Sequence, residues 1–140
     1  VSAGEPLNRQ VIDTFKEYFN VEVRDGYGQT ENSLLVGTLL GMEIKPGSMG
    51  KPAPGYRIAI IDEDGNPLPA GEVGDIAVHR DTPSLFKGYL NDHERTQKAF
   101  RGDWYLTGDQ AKMDDEGYWS EGRSDGITIT SGYTTVALEV

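Results

Sequence analysis

Cysteine is absent from the 140-residue sequence. That excludes disulfides, iron–sulfur clusters and thiolate zinc sites together. It fits a reducing compartment, and the cytoplasm is the expected location. Cations are scarce: 13 Lys and Arg stand against 23 Asp and Glu, a formal net charge of −10. Nucleic acid and anionic membrane are therefore poor partners for the surface as a whole. An anionic ligand would need local help from cations, backbone amides or a metal ion. No apolar run approaches the roughly 20 residues of a membrane span, and no secretory signal pattern opens the chain. There is no GxSxG elbow and no Walker-type phosphate loop. His79 and His93 stand apart from other donors without ligand-like spacing, so no metal site is expected at either. The run Asp114-Asp115-Glu116-Gly117 lacks the ligand spacing of a calcium loop and reads as a solvated turn. The sequence begins with Val1 and moves directly into motif-like residues, so it is expected to be a piece of a longer protein.

What remains is ordinary for a globular chain: 36% hydrophobic and 26% charged residues. The length allows one modest domain or two small ones with a limited core. Val1 to Ala3 reads as the end of a buried strand, broken by Gly4-Glu5-Pro6. Residues 8–19 read as an amphipathic helix capped by Asn8. Val11, Ile12, Phe15, Tyr18 and Phe19 share one face of it. Val21 to Arg24 alternates like a short strand. Together these make a strand–helix–strand unit. From Gly47 onward Gly and Pro are frequent and helical periodicity fades. Strands are expected over 56–61 and 74–79, joined around Asp64-Gly65. A short helix is expected over 92–100, capped by Asn91 or Asp92 and stopped by Gly102. Strands over 104–106, 111–113 and 118–120 are expected to be split by turns at Gly108-Asp109 and Glu116-Gly117. The fold class expected is α+β, a short α/β piece followed by a mainly antiparallel β piece, with the boundary near residue 45.

Three stretches could carry chemistry. Asp25-Gly26-Tyr27-Gly28-Gln29-Thr30-Glu31 follows the expected strand, where ligands of α/β units bind. Glycine lets backbone approach a ligand, Thr30 could bond a phosphate, and Glu31 could hold magnesium, which takes oxygen ligands. Taken alone, the stretch reads more readily as a turn leading into a helix capped by Thr30 or Asn32. Asp109, in Trp104-Tyr105-Leu106-Thr107-Gly108-Asp109, could accept bonds from vicinal ribose hydroxyls, or be a plain β-turn aspartate. Arg123, in Gly122-Arg123-Ser124-Asp125, could contact ribose or phosphate, or lie in a surface turn.

In their order, these motifs resemble the adenylate-forming superfamily: acyl-CoA synthetases, luciferases and peptide-synthetase adenylation domains. Gly4-Glu5-Pro6 resembles the segment along the adenine. Tyr27-Gly28-Gln29-Thr30-Glu31 resembles the YGxTE signature. The run GSMGKPAP, 47–54, resembles the start of the family's β-barrel subdomain, and 86–109 the approach to its TGD aspartate. Residues 122–125 resemble the hinge before a mobile C-terminal domain.

The resemblance implies three segments. Residues 1–45 would end an α/β subdomain, 46–121 would form a distorted antiparallel β-barrel subdomain, and 122–140 would be the hinge and an altered start of the next domain. It also implies a parent enzyme that turns a small-molecule carboxylate, ATP and CoA into acyl-CoA, AMP and pyrophosphate, with Mg2+. By resemblance, Gly4, Glu5, Pro6 and Tyr27 hold adenine beside Asp25, Gly28 and Gln29. Thr30 touches the α-phosphate, Glu31 holds magnesium, and Asp109 holds the ribose with Arg123 assisting. Asp125 is the hinge, and Ser131-Gly132 lies near the CoA entrance. The chain looks most like acetyl- and medium-chain acyl-CoA synthetases. Acetate-specific members have a tryptophan where Gly28 stands, so a longer acyl chain is expected to fit.

The tail departs from the pattern. One residue is missing between Tyr118 and Gly122, Gly126 replaces an acidic residue, Thr134 replaces an arginine, and 135–138 lacks an Ile-Gly-Pro-type run. The family's phosphate loop and adenylation lysine are not in the sequence, so this chain alone is expected to adenylate negligibly. A non-catalytic truncated or degenerate paralogue and another adenylate-forming enzyme are the alternatives. Oligomeric state is not legible.

Overall fold

The computed structural model describes residues 1–122 in full and, beyond them, the backbone of the strands at 127–130 and 133–136. The α+β class expected from the sequence is what it shows. Helix α1 spans Arg9–Phe19. Asn8 caps it by accepting a hydrogen bond from Gln10 N at 2.8 Å, and Asn20 closes it in the left-handed conformation at φ 53°. Its apolar stripe lies where the periodicity places it, but none of its residues is buried. Phe15, Tyr18 and Phe19 are all exposed.

A three-stranded antiparallel sheet follows, formed by β1 (Gly26–Gln29), β2 (Ser33–Gly37) and β3 (Lys51–Pro52) in that order. A second, five-stranded antiparallel sheet holds β4 (Ile58–Ile61), β5 (Val73–His79), β6 (Phe100–Arg101), β7 (Trp104–Met113) and β8 (Trp119–Glu121). Its path is β4-β5-β7-β6, with β8 on the free stretch of β7. Helix α2 (His93–Lys98) precedes β6, and Asp92 caps it through Arg95 N at 3.0 Å. The strands β9 (Ile127–Thr130) and β10 (Tyr133–Val136) form a hairpin.

β5 is the central strand, which is why Ile76, Ala77 and Val78 are buried in succession rather than alternately. Together with Leu35, Val36, Ile60, Tyr105 and Trp119 they make the core. Burying each large apolar side chain contributes about 1.5–3 kcal/mol. The two sheets are stitched at residues 48–50. Met49 N donates to Trp119 O at 2.8 Å, and Trp119 N donates to Gly50 O at 2.7 Å. Gly50 has φ 107°, and a Cβ there would stand 2.1 Å from the Gly37 carbonyl carbon. Only glycine permits that crossing.

Several expectations need correction. Val1 to Ala3 is no buried strand: Ser2 makes a single parallel bridge to Asp25, and Val1 is 95% exposed. Val21 to Arg24 is not a strand, because the Arg24 guanidinium is bound to the carbonyls of Leu39 and Met42 at 2.9 and 3.0 Å, and pairing starts only at Asp25. No helix follows Thr30 and Asn32; residues 30–32 are the turn of the β1–β2 hairpin. α2 ends at an Ala99 cap, and Gly102 belongs to the next hairpin turn. Residues 104–106 and 111–113 are one strand rather than two.

Candidate active site

Both strands that carry the chemistry-bearing residues are irregular at the same place. In β1, Tyr27 pairs with Val36 and Gly28 with Leu34, so the return strand carries Leu35 as an extra residue. In β7, Leu106 pairs with Ala77 and Gln110 with Asp75, so Thr107, Gly108 and Asp109 face Ile76 alone. Gly108 supplies φ 85° for this bulge. Thr107 fills the ladder bonds that the bulge opens. Its hydroxyl donates to Ile76 O at 3.1 Å and accepts from Asp109 N at 3.2 Å. A Gly-Asp pair that reads as a turn is thus a bulge that re-aims Asp109.

The two irregularities converge. The Tyr27 hydroxyl donates to Asp109 Oδ2 at 2.7 Å, across 82 residues of sequence. Gln29 Nε2 donates to Thr107 O at 2.8 Å and reaches the same Asp109 oxygen at 3.4 Å. Gln29 Oε1 accepts from the Tyr105 hydroxyl at 3.3 Å. Burial pushes the Tyr27 phenol well above its usual value, and the Asp109 charge adds to this, so the hydroxyl stays a donor.

Beside this junction lies a cleft of about 520 Å3. Of the sequence-derived candidates, Gly4, Glu5, Pro6, Asp25, Tyr27, Gly28, Gln29 and Asp109 all line it. Asp25 ties the strand start to the 4–7 segment: Gly26 N donates to its Oδ1 at 2.8 Å and Leu7 N to its Oδ2 at 3.5 Å. Burial raises the Asp25 pKa against those bonds. Gln110 and Glu121 also line the cleft and were not singled out in the sequence. Four acidic residues, Glu5, Asp25, Asp109 and Glu121, are among those that line the cleft. Among the described residues no Lys, Arg or His lines it.

Thr30 and Glu31 sit in the hairpin turn, off the lining. Glu31 accepts from the Tyr89 hydroxyl at 3.1 Å, and its carbonyl accepts from Phe86 N at 2.7 Å. Among the described residues no group of three or more His, Cys, Asp or Glu could hold a metal. Magnesium keeps waters and binds through one or two carboxylates plus phosphates, so it does not require such a group. Gly28 lines the cleft but is also constrained from behind, where a Cβ would stand 1.9 Å from Ser33 O. Arg123, Asp125, Ser131 and Gly132 lie outside the described residues, as does Gly126. The same holds for the side chain of Thr134.

Residues 1–90 match the family described as AMP-binding enzyme. The chain belongs to that family. Over its whole length the chain is 61% identical to the uncharacterized acyl–CoA ligase YtcI of Bacillus subtilis (strain 168), of which it covers 27%. It is 46% identical, again over its whole length, to the mitochondrial acyl-coenzyme A synthetase ACSM3 of Rattus norvegicus, of which it covers 25%. In structure it is similar to the anthranilate CoA ligase AuaEII in complex with anthranoyl-AMP. There the TM-score is 0.78 and the identity 34%, over 95% of this chain and 26% of that one. The chain therefore spans about a quarter of the length of the relatives it matches. Among the described residues no helix is long and apolar enough to cross a membrane.

Proposed function

We propose that this chain forms the nucleoside side of the active site of an AMP-forming acyl-CoA synthetase. The observation that carries the reading is the meeting of Tyr27 and Asp109, from two different sheets, on one cleft. In the parent, a carboxylate oxygen attacks the α-phosphorus of ATP and pyrophosphate leaves. The CoA thiol then attacks the acyl carbonyl, and AMP leaves. Gly4 to Pro6 and the Tyr27 ring enclose the adenine, with Asp25, Gly28 and Gln29 beside them. Aromatic stacking contributes about 0.5–1.5 kcal/mol. Asp109 accepts from the ribose hydroxyls, Thr30 meets the α-phosphate, and Glu31 holds magnesium, whose charge offsets that of the phosphates.

Residues 1–45, 46–121 and 122–140 act as the end of an α/β subdomain, a barrel-like subdomain and a hinge. Arg123 and Asp125 serve ribose and hinge, and Ser131-Gly132 the CoA entrance. Substrates beyond acetate are preferred. The cleft's own charge supports a further expectation: with acidic residues and, among the described residues, no cation in its lining, the cleft disfavours a triphosphate. The 140-residue chain alone therefore gives negligible ATP–pyrophosphate exchange, since electrostatic stabilisation is a large part of catalysis.

The test is Asp109→Ala in the full-length protein. Losing hydrogen bonds to a charged carboxylate, about 1.5–3 kcal/mol, lowers kcat/KM for ATP by about ten- to a hundredfold. An unchanged ATP dependence removes Asp109 from the site. A full-length protein that binds AMP but never exchanges pyrophosphate supports a non-catalytic paralogue instead.

A further inference from the structure

The contacts around Asp109 distinguish its two oxygens. Oδ2 accepts the Tyr27 hydroxyl at 2.7 Å and faces Gln29 Nε2 at 3.4 Å, whereas no protein donor is found on Oδ1 among the described contacts. A carboxylate oxygen has two good acceptor directions, so protein donors fill Oδ2 and leave Oδ1 to a ligand. The donors are themselves held. Gln29 cannot turn its amide around, because Thr107 O and Asp109 Oδ2 require a donor and the Tyr105 hydroxyl supplies a proton to Oε1. The Gln29 main-chain N–H is fixed by Asn32 Oδ1 at 3.0 Å, and Asn32 is fully buried.

We propose that Tyr27 and Gln29 are positioning residues for ribose recognition. By occupying Asp109 Oδ2 they present Oδ1 to the sugar, so selectivity for a hydroxylated ribose depends on a hydroxyl that does not itself touch the sugar. This rests on the reading of Asp109 as the ribose acceptor. A carboxylate at a bulge next to a flexible glycine has several rotamers of similar energy. Two converging donors select one before the ligand arrives, and preorganisation of this kind lowers the ordering cost of binding.

The test uses the full-length protein and divides Kd for 2′,3′-dideoxy-AMP by Kd for AMP. Their ratio measures ribose selectivity and cancels general damage to the fold. Asp109→Ala is expected to lower the ratio by about tenfold or more. Tyr27→Phe keeps the ring and deletes only the hydroxyl, and is expected to lower the ratio at least about fivefold. In the Asp109→Ala background, Tyr27→Phe then changes the ratio less than about twofold, because the two act through one contact. If Asp109→Ala lowers the ratio and Tyr27→Phe leaves it unchanged, the positioning role is overturned while the ribose reading stands. If Asp109→Ala itself leaves the ratio unchanged, the ribose reading fails and the positioning role with it. Should Tyr27→Phe not fold, Gln29→Met, which keeps the volume and removes the second donor, carries the same comparison.

Discussion

Replacing Gly28 by alanine adds one methyl group where β2 returns past β1. That carbon would stand 1.9 Å from Ser33 O, 2.7 Å from the Ser33 carbonyl carbon and 2.9 Å from Leu34 Cα. Ordinary contact begins at 3.4 Å, so β2 must retreat by about 1.5 Å. All three atoms are main chain, and no rotamer change relieves the contact. Retreat loosens the pairings Gly28–Leu34 and Gln29–Ser33 and lifts Leu35 and Val36, both 0% exposed, from the core. Overpacking costs about 1–3 kcal/mol, and each weakened backbone bond about 1 kcal/mol net. Gly28→Ala is therefore expected to lose about 2–5 kcal/mol.

Gly71 provides the control. It has φ 89° with nothing within 4 Å of an added Cβ, so Gly71→Ala costs only local backbone strain, about 1–2 kcal/mol. Urea unfolding followed by tryptophan fluorescence gives both values, since Trp119 is buried and reports the core. A Gly28→Ala loss no larger than that of Gly71→Ala would refute the steric argument. The same contact bears on acyl-chain choice. A tryptophan at position 28 must first displace the Ser33 carbonyl, so it damages the hairpin before it can act as a pocket wall.

Asn32→Ala removes a fully buried amide that accepts from Gln29 N at 3.0 Å; a loss of about 1–3 kcal/mol is expected, read from the same urea curves, and an unchanged midpoint contradicts it. Asp25→Asn tests the buried carboxylate through pH. Its folded pKa lies above the ordinary 3.8, so the native state binds the proton more tightly, and the wild type loses stability as pH rises through that window. Asparagine does not titrate, so the variant gains relative to wild type at pH 7 and the gain disappears near pH 3. An equal difference at both pH values contradicts the assignment.

Local signals were legible in the sequence and tertiary ones were not. Asn8 and the three-to-four spacing of residues 11–19 locate α1 within a residue, because cap and periodicity are properties of the segment itself. Val21 to Arg24 alternates as a strand does, yet Arg24 is claimed by carbonyls 15 and 18 residues away. Gly108-Asp109 has turn chemistry and forms a bulge, because the decision belongs to β5, where Ile76 alone faces three residues. In the candidate site, the cleft-lining members of the quoted motifs were legible, whereas their supports were not. Tyr105 reaches Gln29 across 76 residues and Tyr89 reaches Glu31 across 58, distances at which periodicity carries no information.

The seam at residues 48–50 gives the cleft a mechanical character. Tyr27 belongs to one sheet and Asp109 to the other, so the gap between them is fixed by whatever fastens sheet to sheet. A side chain introduced at Gly50 would act as a wedge against the Gly37 backbone. It would push the seam away from β2 and so shift one wall of the cleft from a distance, since neither Gly37 nor Thr38, the residues it meets, lines it.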